Sequence, residues 1–370
     1  MKMIVSGGGT GGHIYPAITL IRTIKEKIKD CEVLYVGTKF GLEADIVPKE
    51  KIAFKTIDIK GFARKVTVDN VKVLFKSVHS VWHSRQIIKE FKPDIVIGTG
   101  GYVCGPVLLA ASLMGIPTII QEQNVIPGIT NKILAKFVDH IAVGYAEAGS
   151  HFHADKVVFT GNPVRKEVLT ASRAAGIEEF HLDSNKRTIL ISGGSRGARS
   201  INNAMVDVHA YFAGNKDIQL LHVTGKDEYD GIVEKLREKS IDIEKAGNIM
   251  IKPYLYNMPN ALAVTDLAIF RAGAIGLAEL TARGIPSILI PYPYAAENHQ
   301  EHNALAMQKA GAGVMVLDKD LAGSKLIAII NNLMHEEGKL SFMAKASKAL
   351  GKPNAADDIA NLAIQMISKA

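Results

Sequence analysis

Short runs of apolar residues alternate with amphipathic stretches along the whole chain. The apolar runs predict β-strands near 2–6, 32–37, 52–58, 94–98, 117–121, 139–143, 156–160, 187–192, 218–223, 266–270, 286–290 and 313–316. Between them, apolar residues recur at helical spacing, as at Leu20, Ile24 and Ile28. Pro16 is expected to open the first helix, where its missing N–H costs nothing. The alternation predicts an α/β protein whose parallel sheets carry helices on both faces.

The same scheme starts again in the second half of the chain. Ser6-Gly-Gly-Gly-Thr-Gly11 recurs as Ser192-Gly-Gly-Ser-Arg-Gly197, each time between a strand and a helix. At 370 residues the chain is also too long for one core. We therefore expect two Rossmann-like, doubly wound domains, 1–162 joined by 353–370 and 163–352, with ligands in the cleft between them. The final helix is expected to cross back and pack on the first domain.

Two features bear on where the protein works. Residues 95–120 include no charged side chain, a length that could cross a bilayer. Pro106, Pro117 and several glycines interrupt this stretch, so we interpret it as strand, loop, short helix and strand, all buried. Cys31 and Cys104 are too few for a disulfide framework or a zinc site and suit a reducing cytoplasm. The first strand begins at once, which argues against a signal peptide.

The net charge of +7 is concentrated in one segment. Residues 60–92 carry eight basic and two acidic side chains, a net +6. The segment also carries an apolar stripe at helical spacing that includes Trp82. One interpretation is a helix packed on the core, and the other is an interfacial helix whose lysines bind anionic lipids. Nucleic acid is disfavoured, because no recognition motif accompanies the charge.

The first glycine loop, Gly7-Gly-Gly-Thr-Gly-Gly-His13, has the spacing of the dinucleotide fingerprint. That fingerprint needs an acid at the end of the second strand, which ends instead in Gly37-Thr38. A nicotinamide enzyme is therefore disfavoured, and no cofactor is expected. What remains is a set of bare N–H groups at a helix N-terminus, which bind diphosphate oxygens well.

The second half of the chain adds two further constellations. Gly193-Gly-Ser-Arg-Gly197 repeats the anion-binding design, so a donor nucleotide and a phosphorylated acceptor fit the chain better than one dinucleotide. The run from Arg271 to Glu279 opens a helix after a strand that ends at Phe270. There Glu279 could accept two hydrogen bonds from a ribose diol. The alternative is an acid that merely complements the helix dipole.

These loops occur in order with several other motifs, namely Gly100-Gly-Tyr-Val-Cys-Gly-Pro106, Glu122-Gln-Asn124, Gly161-Asn-Pro-Val-Arg165, Gly193-Gly-Ser-Arg-Gly-Ala-Arg199, Arg271-Ala-Gly-Ala274 and Asn298-His-Gln300 with Asn303-Ala304. Together they resemble the MurG family of N-acetylglucosaminyltransferases, glycosyltransferase family 28, over nearly the whole chain. The resemblance implies a GT-B fold and inverting transfer from UDP-N-acetylglucosamine to lipid I, giving lipid II in peptidoglycan synthesis. It also implies peripheral attachment to the cytoplasmic face of the bacterial inner membrane, through anionic lipids, and a complex with cell-wall and division proteins.

Carried over by position, the resemblance implies a role for individual residues. The residues expected near the donor sugar and the acceptor diphosphate are Thr10, Gly11 and Gly12. Those on the donor nucleotide are Arg165 and Ser195 at the diphosphate, Leu255 at the uracil and Glu279 at the ribose. Those on the sugar hydroxyls are Asn124 and Gln300. The other expected binding residues are Tyr102, Gly197, Asn202, Ala274, Ile275, Gly276, Leu277, Ala278 and His299.

The sequence departs from the family pattern at a few of these places. Gln121 stands where many relatives have His, which removes one catalytic candidate. Phe270 stands where Ser or Cys is common, and Gly276 and Ala278 replace hydroxyl residues. These changes alter the details of diphosphate binding and leave the ribose carboxylate in place.

An inverting transfer needs a base for the attacking 4-hydroxyl and a means of stabilising the departing UDP. We expect His13 to be the base, because imidazole exchanges a proton near neutral pH. The alternatives are that His13 only bonds a phosphate or caps the helix, and that Glu122 is the base. The Ser195 loop and Arg165 would stabilise the leaving group, so no metal is expected. Two histidine pairs, His151 with His153 and His299 with His302, each lack a third ligand at suitable spacing and are not expected to bind a metal.

Two other classes of function stay open at this point. A UDP-sugar 2-epimerase uses a similar two-domain shell, although it needs no lipid-facing segment. A non-catalytic scaffold could bind a sugar nucleotide for other cell-wall proteins. Release of UDP only when a lipid acceptor is supplied would separate all three.

Overall fold

The computed structural model describes residues 1–59, 69–194 and 196–369, apart from the side chains of 69–78, 244 and 369. The chain divides into two compact units. Unit 1 contains Met1–Val164 and Lys352–Ala370, and unit 2 contains Arg165–Gly351. These limits lie close to the expected domain limits.

Unit 1 is built on a parallel sheet with the strand order β3-β2-β1-β4-β5-β6-β7. Its strands are β1 (Lys2–Ser6), β2 (Glu32–Gly37), β3 (Ala53–Thr56), β4 (Ile95–Gly98), β5 (Thr118–Glu122), β6 (His140–Val143) and β7 (Val157–Phe159). Its helices are α1 (Gly11–Lys27), α2 (Glu43–Lys49), α3 (Asp69–Phe91), α4 (Cys104–Leu113), α5 (Ile129–Leu134) and the final helix α16 (Ala355–Lys369), with 3-10 turns at Ala146–His151 and Ala154–Lys156.

Alternate residues of the central strand β1 face the two helical layers of unit 1. Met3 and Val5 belong to a buried cluster with α1 and α16. Ile4 belongs to a second cluster on the other face, with α3 and α4. This alternation follows from the two-residue period of a strand. The final helix α16 packs directly on α1.

Unit 2 has a parallel sheet with the order β10-β9-β8-β11-β12-β13. Its strands are β8 (Arg187–Ser192), β9 (Ile218–Val223), β10 (Ile249–Lys252), β11 (Thr265–Phe270), β12 (Ser287–Leu289) and β13 (Gly313–Met315). Its helices are α6 (Lys166–Thr170), α7 (Arg173–Phe180), α8 (Arg199–Phe212), α9 (Tyr229–Glu238), α10 (Ile243–Ala246), α11 (Met258–Val264), α12 (Ala274–Arg283), α13 (His299–Lys309), α14 (Gly323–His335) and α15 (Lys339–Leu350), with 3-10 turns at Lys226–Glu228, Ala296–Asn298 and Asp318–Asp320.

The prediction of two doubly wound α/β domains is confirmed, with two differences in detail. Strand β10 was not predicted, because Ile249-Met-Ile-Lys252 is short and follows a polar stretch. The prediction that Pro16 opens the first helix is wrong, since α1 begins at Gly11 and contains Pro16. A proline there leaves the Gly12 carbonyl without its helical N–H partner.

The uncharged stretch 95–120 forms β4, a loop, α4 and the start of β5, as predicted. In the described part of the chain, no helix is both long and apolar enough to span a bilayer. Of the basic segment 60–92, residues 60–68 lie outside the described residues, and α3 accounts for most of the rest.

Both sheets reverse their strand order at one point. In unit 1 the reversal lies between β1 and β4, and in unit 2 it lies between β8 and β11. In open parallel sheets, ligands bind beyond the carboxyl ends of the strands at this point. The two glycine loops follow β1 and β8, so each lies where a ligand is expected in its own unit. The cleft between the units stays a prediction.

Candidate active site

In unit 1, the loops that follow β1 and β4 pack backbone against backbone. The N–H of Gly8 donates to the Gly100 carbonyl over 3.3 Å. Gly101 has a φ of +84°, and a Cβ on it would lie 2.4 Å from the Gly8 carbonyl oxygen. Tyr102 then lies beside Gly9, at 3.7 Å from the place of a Cβ. The glycines are therefore required for the close approach of the two loops.

Helix α1 begins inside the glycine loop. Thr10 is its N-cap residue, without a side-chain cap, and the first turn contains no acidic residue. Gly11 and Gly12 are the first helical residues, so their N–H groups lie outside the helical hydrogen-bond ladder. This open, positive helix end is the part of the loop that can receive an anion.

His13 occupies the third position of α1, and its ring turns back onto the loop. Its Nδ1 lies 2.9 Å from the Gly8 carbonyl oxygen. A carbonyl only accepts, so Nδ1 carries the hydrogen and Nε2 carries the lone pair. Burial lowers the pKa of His13, although the bond to Gly8 and the charge of Glu43 oppose this change. His13 is thus neutral at neutral pH and bonds the loop rather than capping the helix.

Glu43, the first residue of α2, is a buried carboxylate beneath the same loop that sequence reasoning missed. It accepts hydrogen bonds from the N–H of Gly9 (3.0 Å) and from the N–H (3.0 Å) and hydroxyl (2.6 Å) of Thr38. The order of the strands in the sheet could have indicated that Glu43 lies near the glycine loop. Because β2 lies next to β1, residues that follow the two strands meet at the same edge of the sheet.

Glu122, the second base candidate, is buried at the end of β5. It accepts hydrogen bonds from the N–H (2.9 Å) and amide (3.3 Å) of Asn124, from the N–H of Gly128 (3.1 Å) and from the amide of Asn131 (2.8 Å). Burial raises the pKa of Glu122, and these hydrogen bonds oppose the rise. With four donors around it, the carboxylate orients Asn124 and has little capacity left for a substrate proton.

Gln121, where the family resemblance led us to expect a histidine, is buried in a network of amides. Its Nε2 donates to Asn162 Oδ1 over 2.8 Å, and Asn162 Nδ2 donates to the Gln123 carbonyl over 2.9 Å. Gln123 in turn donates to the Gln121 side chain and to the Thr99 carbonyl. The position therefore supports the loops around it and supplies no group that transfers protons near neutral pH.

In unit 2, the loops that follow β8 and β9 repeat the backbone packing. Gly197 has a φ of +75°, and a Cβ on it would lie 1.8 Å from the Thr224 carbonyl oxygen. Gly225 has a φ of +87°, and its Cβ would lie 2.5 Å from the Arg196 carbonyl oxygen. Helix α8 follows without a side-chain cap or an acid in its first turn. Ser195, predicted to contact the donor diphosphate, lies outside the described residues.

Asn202 lies behind this second loop, fully buried, and the structure does not bring it to the loop surface. Its Nδ2 donates to the Thr224 carbonyl over 2.8 Å, and its Oδ1 accepts from His222 Nε2 over 3.0 Å. His209 Nε2 donates to His222 Nδ1 over 3.0 Å. Burial lowers the pKa of His209 to about 3 and that of His222 well below its usual range. A chain of neutral groups therefore supports the loop.

Glu279 and Arg165, predicted on the ribose and the diphosphate, contact each other. Arg165 Nε donates to Glu279 Oε1 over 2.8 Å, and the carboxylate is largely buried. Glu279 is the sixth residue of α12, whose first turn contains no acid. Because the helix dipole acts mainly within the first turn, the dipole interpretation of Glu279 is disfavoured.

The other residues predicted on α12 divide by burial. Ala274 and Leu277 belong to the core, whereas Ile275, Gly276 and Ala278 are partly exposed. The side chains of Ile275 and Ala278 and the backbone of Gly276 are therefore open to contact with a nucleotide. Those buried in the core support the start of the helix from within.

Gln300 is fixed near the start of α12. The N–H of Tyr292 donates to Gln300 Oε1 over 2.9 Å. Its Nε2 lies 4.0 Å from the place of a Cβ on Gly273. The amide nitrogen therefore faces the loop after β11, while His299 bonds the Ala296 carbonyl over 2.7 Å.

Leu255 follows β10 and is partly exposed. It lies in the chain between Tyr254 and Tyr256, whose rings meet edge to face at 4.9 Å. This places an apolar side chain and two aromatic rings at the edge of the sheet of unit 2, and the contact of Leu255 with the uracil stays a prediction.

Among the described residues, no group of three or more His, Cys, Asp and Glu side chains is placed to hold a metal ion. An arginine ties the second loop region to its neighbour. Arg271 pairs with Asp318 at 2.5 Å and bonds the Ser200 hydroxyl at 2.8 Å, which fixes the loop after β11 to the start of α8.

Comparison with known sequences gives matches across both units. Residues 3–143 match the glycosyltransferase family 28 N-terminal domain, and residues 188–359 match the glycosyltransferase family 28 C-terminal domain. The chain is 49% identical over 360 residues to a protein of Desulforamulus reducens, with 97% of each chain covered. That protein is named UDP-N-acetylglucosamine--N-acetylmuramyl-(pentapeptide) pyrophosphoryl-undecaprenol N-acetylglucosamine transferase.

Solved structures agree in fold. A crystal structure of MurG from Acinetobacter baumannii is similar with a TM-score of 0.77 at 26% identity, covering 98% of this chain and 99% of that one. A UDP-GlcNAc 2-epimerase from Neisseria meningitidis, solved with UDP-GlcNAc, gives a TM-score of 0.67 at 15% identity, with both chains covered fully. At that identity the likeness concerns the fold alone, and epimerase chemistry does not follow from it.

Proposed function

The chain belongs to glycosyltransferase family 28, and we propose that it transfers N-acetylglucosamine from UDP-N-acetylglucosamine to the 4-hydroxyl of the N-acetylmuramyl group of lipid I, giving lipid II. The observation that carries the proposal is the pair of glycine loops, each at the reversal point of its own sheet. One loop serves each phosphate-bearing substrate.

Unit 2 binds the donor in this proposal. The diphosphate lies at the N-terminus of α8, where the open N–H groups and the helix dipole favour an anion. Glu279 accepts hydrogen bonds from the ribose diol, and Arg165 fixes that carboxylate while its charge also faces the leaving UDP. Gln300 donates its amide N–H to hydroxyls of the transferred sugar.

Unit 1 binds the acceptor and supplies the base. The diphosphate of the acceptor lies at the start of α1, on Gly11 and Gly12. His13 takes the proton of the attacking hydroxyl on Nε2, which carries the lone pair in the tautomer fixed by Gly8. Glu122 orients Asn124, which bonds a hydroxyl of the transferred sugar, and Glu122 does not itself take the proton.

Purified protein incubated with UDP-N-acetylglucosamine and a lipid I analogue tests the function. We expect UDP release that depends on the acceptor, with lipid II as the second product. Formation of a 2-epimer without acceptor would support the epimerase, and nucleotide binding without UDP release in either case would support the scaffold. Either outcome contradicts the proposal.

The acceptor is a lipid, and unit 1 offers an apolar surface for the membrane. Trp82 of α3 is 57% exposed, Leu113 at the end of α4 is 69% exposed, and Ile133 and Phe137, in and after α5, are 57% and 43% exposed. Helix α4 packs on both α3 and α5, so the elements that carry these side chains are neighbours in the unit. We name this set the apolar surface.

Basic residues accompany the apolar surface. Lys132 and Lys136 lie beside Ile133 and Phe137 in the chain, and Lys136 is exposed. A basic rim around exposed apolar side chains is typical of proteins that dip into an anionic leaflet. This supports peripheral attachment at the cytoplasmic face of the inner membrane, now with α5 as well as α3. The remaining partners, cell-wall and division proteins, stay a prediction.

Charge reversal tests the membrane surface. Lys132→Glu with Lys136→Glu should weaken binding to phosphatidylglycerol vesicles by about 1 kcal/mol per charge. The same is expected for Lys72→Glu with Lys76→Glu. The matched control reverses Lys216 and Lys309, exposed residues of unit 2, and should leave vesicle binding unchanged. Equal losses in all three pairs would mean that net charge, rather than this surface, governs the attachment.

A further inference from the structure

The proposed roles of His13, Asn124 and Glu279 leave the buried carboxylate of Glu43 without a task. We propose that Glu43 is a positioning residue that acts on His13 through the peptide group joining Gly8 to Gly9. The inference rests on the proposed function, in which His13 is the base. It gives the buried charge a specific task, to fix the tautomer of the imidazole and to stabilise the proton it receives.

The two ends of one peptide group carry the contact. Its carbonyl, on Gly8, accepts from His13 Nδ1 over 2.9 Å. Its N–H, on Gly9, donates to Glu43 Oε2 over 3.0 Å. The peptide group is planar and conjugated, so a negative charge at its N–H end makes its carbonyl a better acceptor. The imidazole, the peptide group and the carboxylate thus form a chain of two hydrogen bonds, and both bonds donate in the direction of Glu43.

The carboxylate cannot leave this position. Glu43 is fully buried, and its other oxygen, Oε1, accepts both bonds from Thr38. Glycines surround it, because a Cβ on Gly8 would lie 2.6 Å from Oε1 and one on Gly41 would lie 2.2 Å from it. A buried charge that is costly to desolvate is therefore held within reach of one particular peptide group.

The chemistry requires no proton on Glu43. When the acceptor hydroxyl attacks, its O–H bond breaks and an Nε2–H bond forms on His13, which becomes an imidazolium. The negative charge of Glu43 stabilises that cation through two hydrogen bonds, one from the Gly9 N–H to Glu43 and one from His13 Nδ1–H to the Gly8 carbonyl. Glu43 never touches the substrate and acts only through the Gly8–Gly9 peptide group.

Other titratable groups around the loop do not supply this charge. Tyr35, on β2, donates its hydroxyl to the Gly7 carbonyl over 2.8 Å, and burial raises its pKa well above the usual value. Cys104, at the start of α4, donates its thiol to the Gly100 carbonyl over 3.0 Å, and burial raises its pKa to about 12. Both are neutral near pH 7. Tyr102 lies beside Gly9 in the neighbouring loop.

Substitutions on α2 and its partner separate charge from structure. Glu43→Gln removes the charge and nearly keeps the shape. Thr38→Val removes one bond to Glu43 Oε1 and keeps the charge. Asp45→Asn, on the same helix, removes an exposed carboxylate that pairs with Lys49. Circular dichroism first establishes that each variant is folded.

The direct measurement is a ¹⁵N NMR titration of His13, assigned by its loss in His13→Gln, in the full-length protein. We expect the Nδ1–H tautomer in the unsubstituted chain and in Thr38→Val and Asp45→Asn. In Glu43→Gln the titration of His13 should move to lower pH, because the charge that favours imidazolium is gone. The acid limb of kcat/KM should move the same way, with kcat about tenfold lower and KM for UDP-N-acetylglucosamine unchanged.

A measurement on the unsubstituted chain covers the case in which Glu43→Gln fails to fold. The amide N–H signal of Gly9 should shift with the same midpoint as His13, because protonation of the imidazole polarises the shared peptide group. A Gly9 signal indifferent to His13, or a His13 titration indifferent to Glu43→Gln, would overturn the proposal. Neither readout depends on activity. Near-normal turnover of His13→Ala would instead refute the catalytic role of His13.

Discussion

The two glycine loops share a backbone plan and differ in what supports them from below. In unit 1 the support is a carboxylate, Glu43, bonded to the N–H of Gly9. In unit 2 it is a chain of neutral groups in which Asn202 bonds the Thr224 carbonyl and His222 bonds Asn202. The same loop geometry is therefore combined with a buried negative charge in one unit and with neutral amide and imidazole groups in the other.

This difference in charge agrees with a difference in task. A negative charge beneath a loop favours a cation above it, as when His13 takes up a proton. Neutral support leaves the positive end of a helix uncompensated, which favours the diphosphate of a leaving nucleotide. In the proposed function, the first loop therefore serves proton transfer as well as the acceptor, and the second serves the donor diphosphate.

The largest expected effect concerns the base of unit 1. His13→Ala should lower acceptor-dependent UDP release by ~10²–10⁴, the usual loss for a general base. Binding of UDP-N-acetylglucosamine, followed by calorimetry, should be unchanged because the donor binds unit 2. His151→Ala, an exposed histidine of unit 1, is the control and should keep normal turnover. Near-normal turnover of His13→Ala would place the base elsewhere.

A pair of glycines tests whether the loop of unit 2 needs its tight packing. Gly197→Ala combines a positive φ with a Cβ 1.8 Å from the Thr224 carbonyl oxygen, and it should destabilise the protein by about 3–5 kcal/mol. Gly194→Ala also has a positive φ but meets nothing within 4 Å, and about 1–2 kcal/mol is expected. Urea unfolding measures both. Equal losses would mean that strain alone, and not loop contact, requires Gly197.

The ribose carboxylate distinguishes the nucleotide site from the acceptor site. Glu279→Ala should weaken UDP binding by about 2 kcal/mol, roughly 30-fold, because buried hydroxyls lose their acceptor and Arg165 loses its partner. Titration calorimetry with UDP measures the change. Glu178→Ala, an exposed acid of the same unit, should bind UDP normally. An unchanged affinity in Glu279→Ala would remove the ribose role.

The buried histidines of unit 2 give a pH dependence to stability. The folded chain keeps His209 and His222 neutral, whereas the unfolded chain protonates them below pH 6.5, so stability falls as the pH drops from 6.5 toward 3. His209→Gln should reduce this fall by about 1.4 kcal/mol per pH unit. Urea unfolding at several pH values measures the slope. The exposed His335→Gln should keep the full slope, and an unchanged slope in His209→Gln would contradict the account.

Much of the fold could be predicted because its strands are apolar runs between amphipathic helices. The buried stretch 95–120 was separable from a membrane span by its prolines and glycines. What escaped prediction was set by tertiary context. Pro16 is tolerated inside α1, and Ile249–Lys252 becomes a strand because β9 offers it a partner edge.

The candidate site was predictable where a residue lies in a loop and unpredictable where it acts from beneath one. His13 and Glu279 follow or lie near glycine motifs, and motif spacing points to them. Glu43 is 34 residues from Gly9 in the chain, and only the adjacency of β1 and β2 brings the two together. Asn202 was expected at the ligand, but it lies in the core because its amide bonds Thr224. Residues that support a loop from beneath are hard to predict, because they lie far from it in the sequence.

A crystal structure of the full-length protein with UDP would show whether the loop of unit 2 binds the donor and the loop of unit 1 is left for the acceptor. We expect the diphosphate at the N-terminus of α8, next to the loop 193–197, and the ribose hydroxyls on Glu279. UDP bound instead at the start of α1, on Gly11 and Gly12, would contradict this expectation.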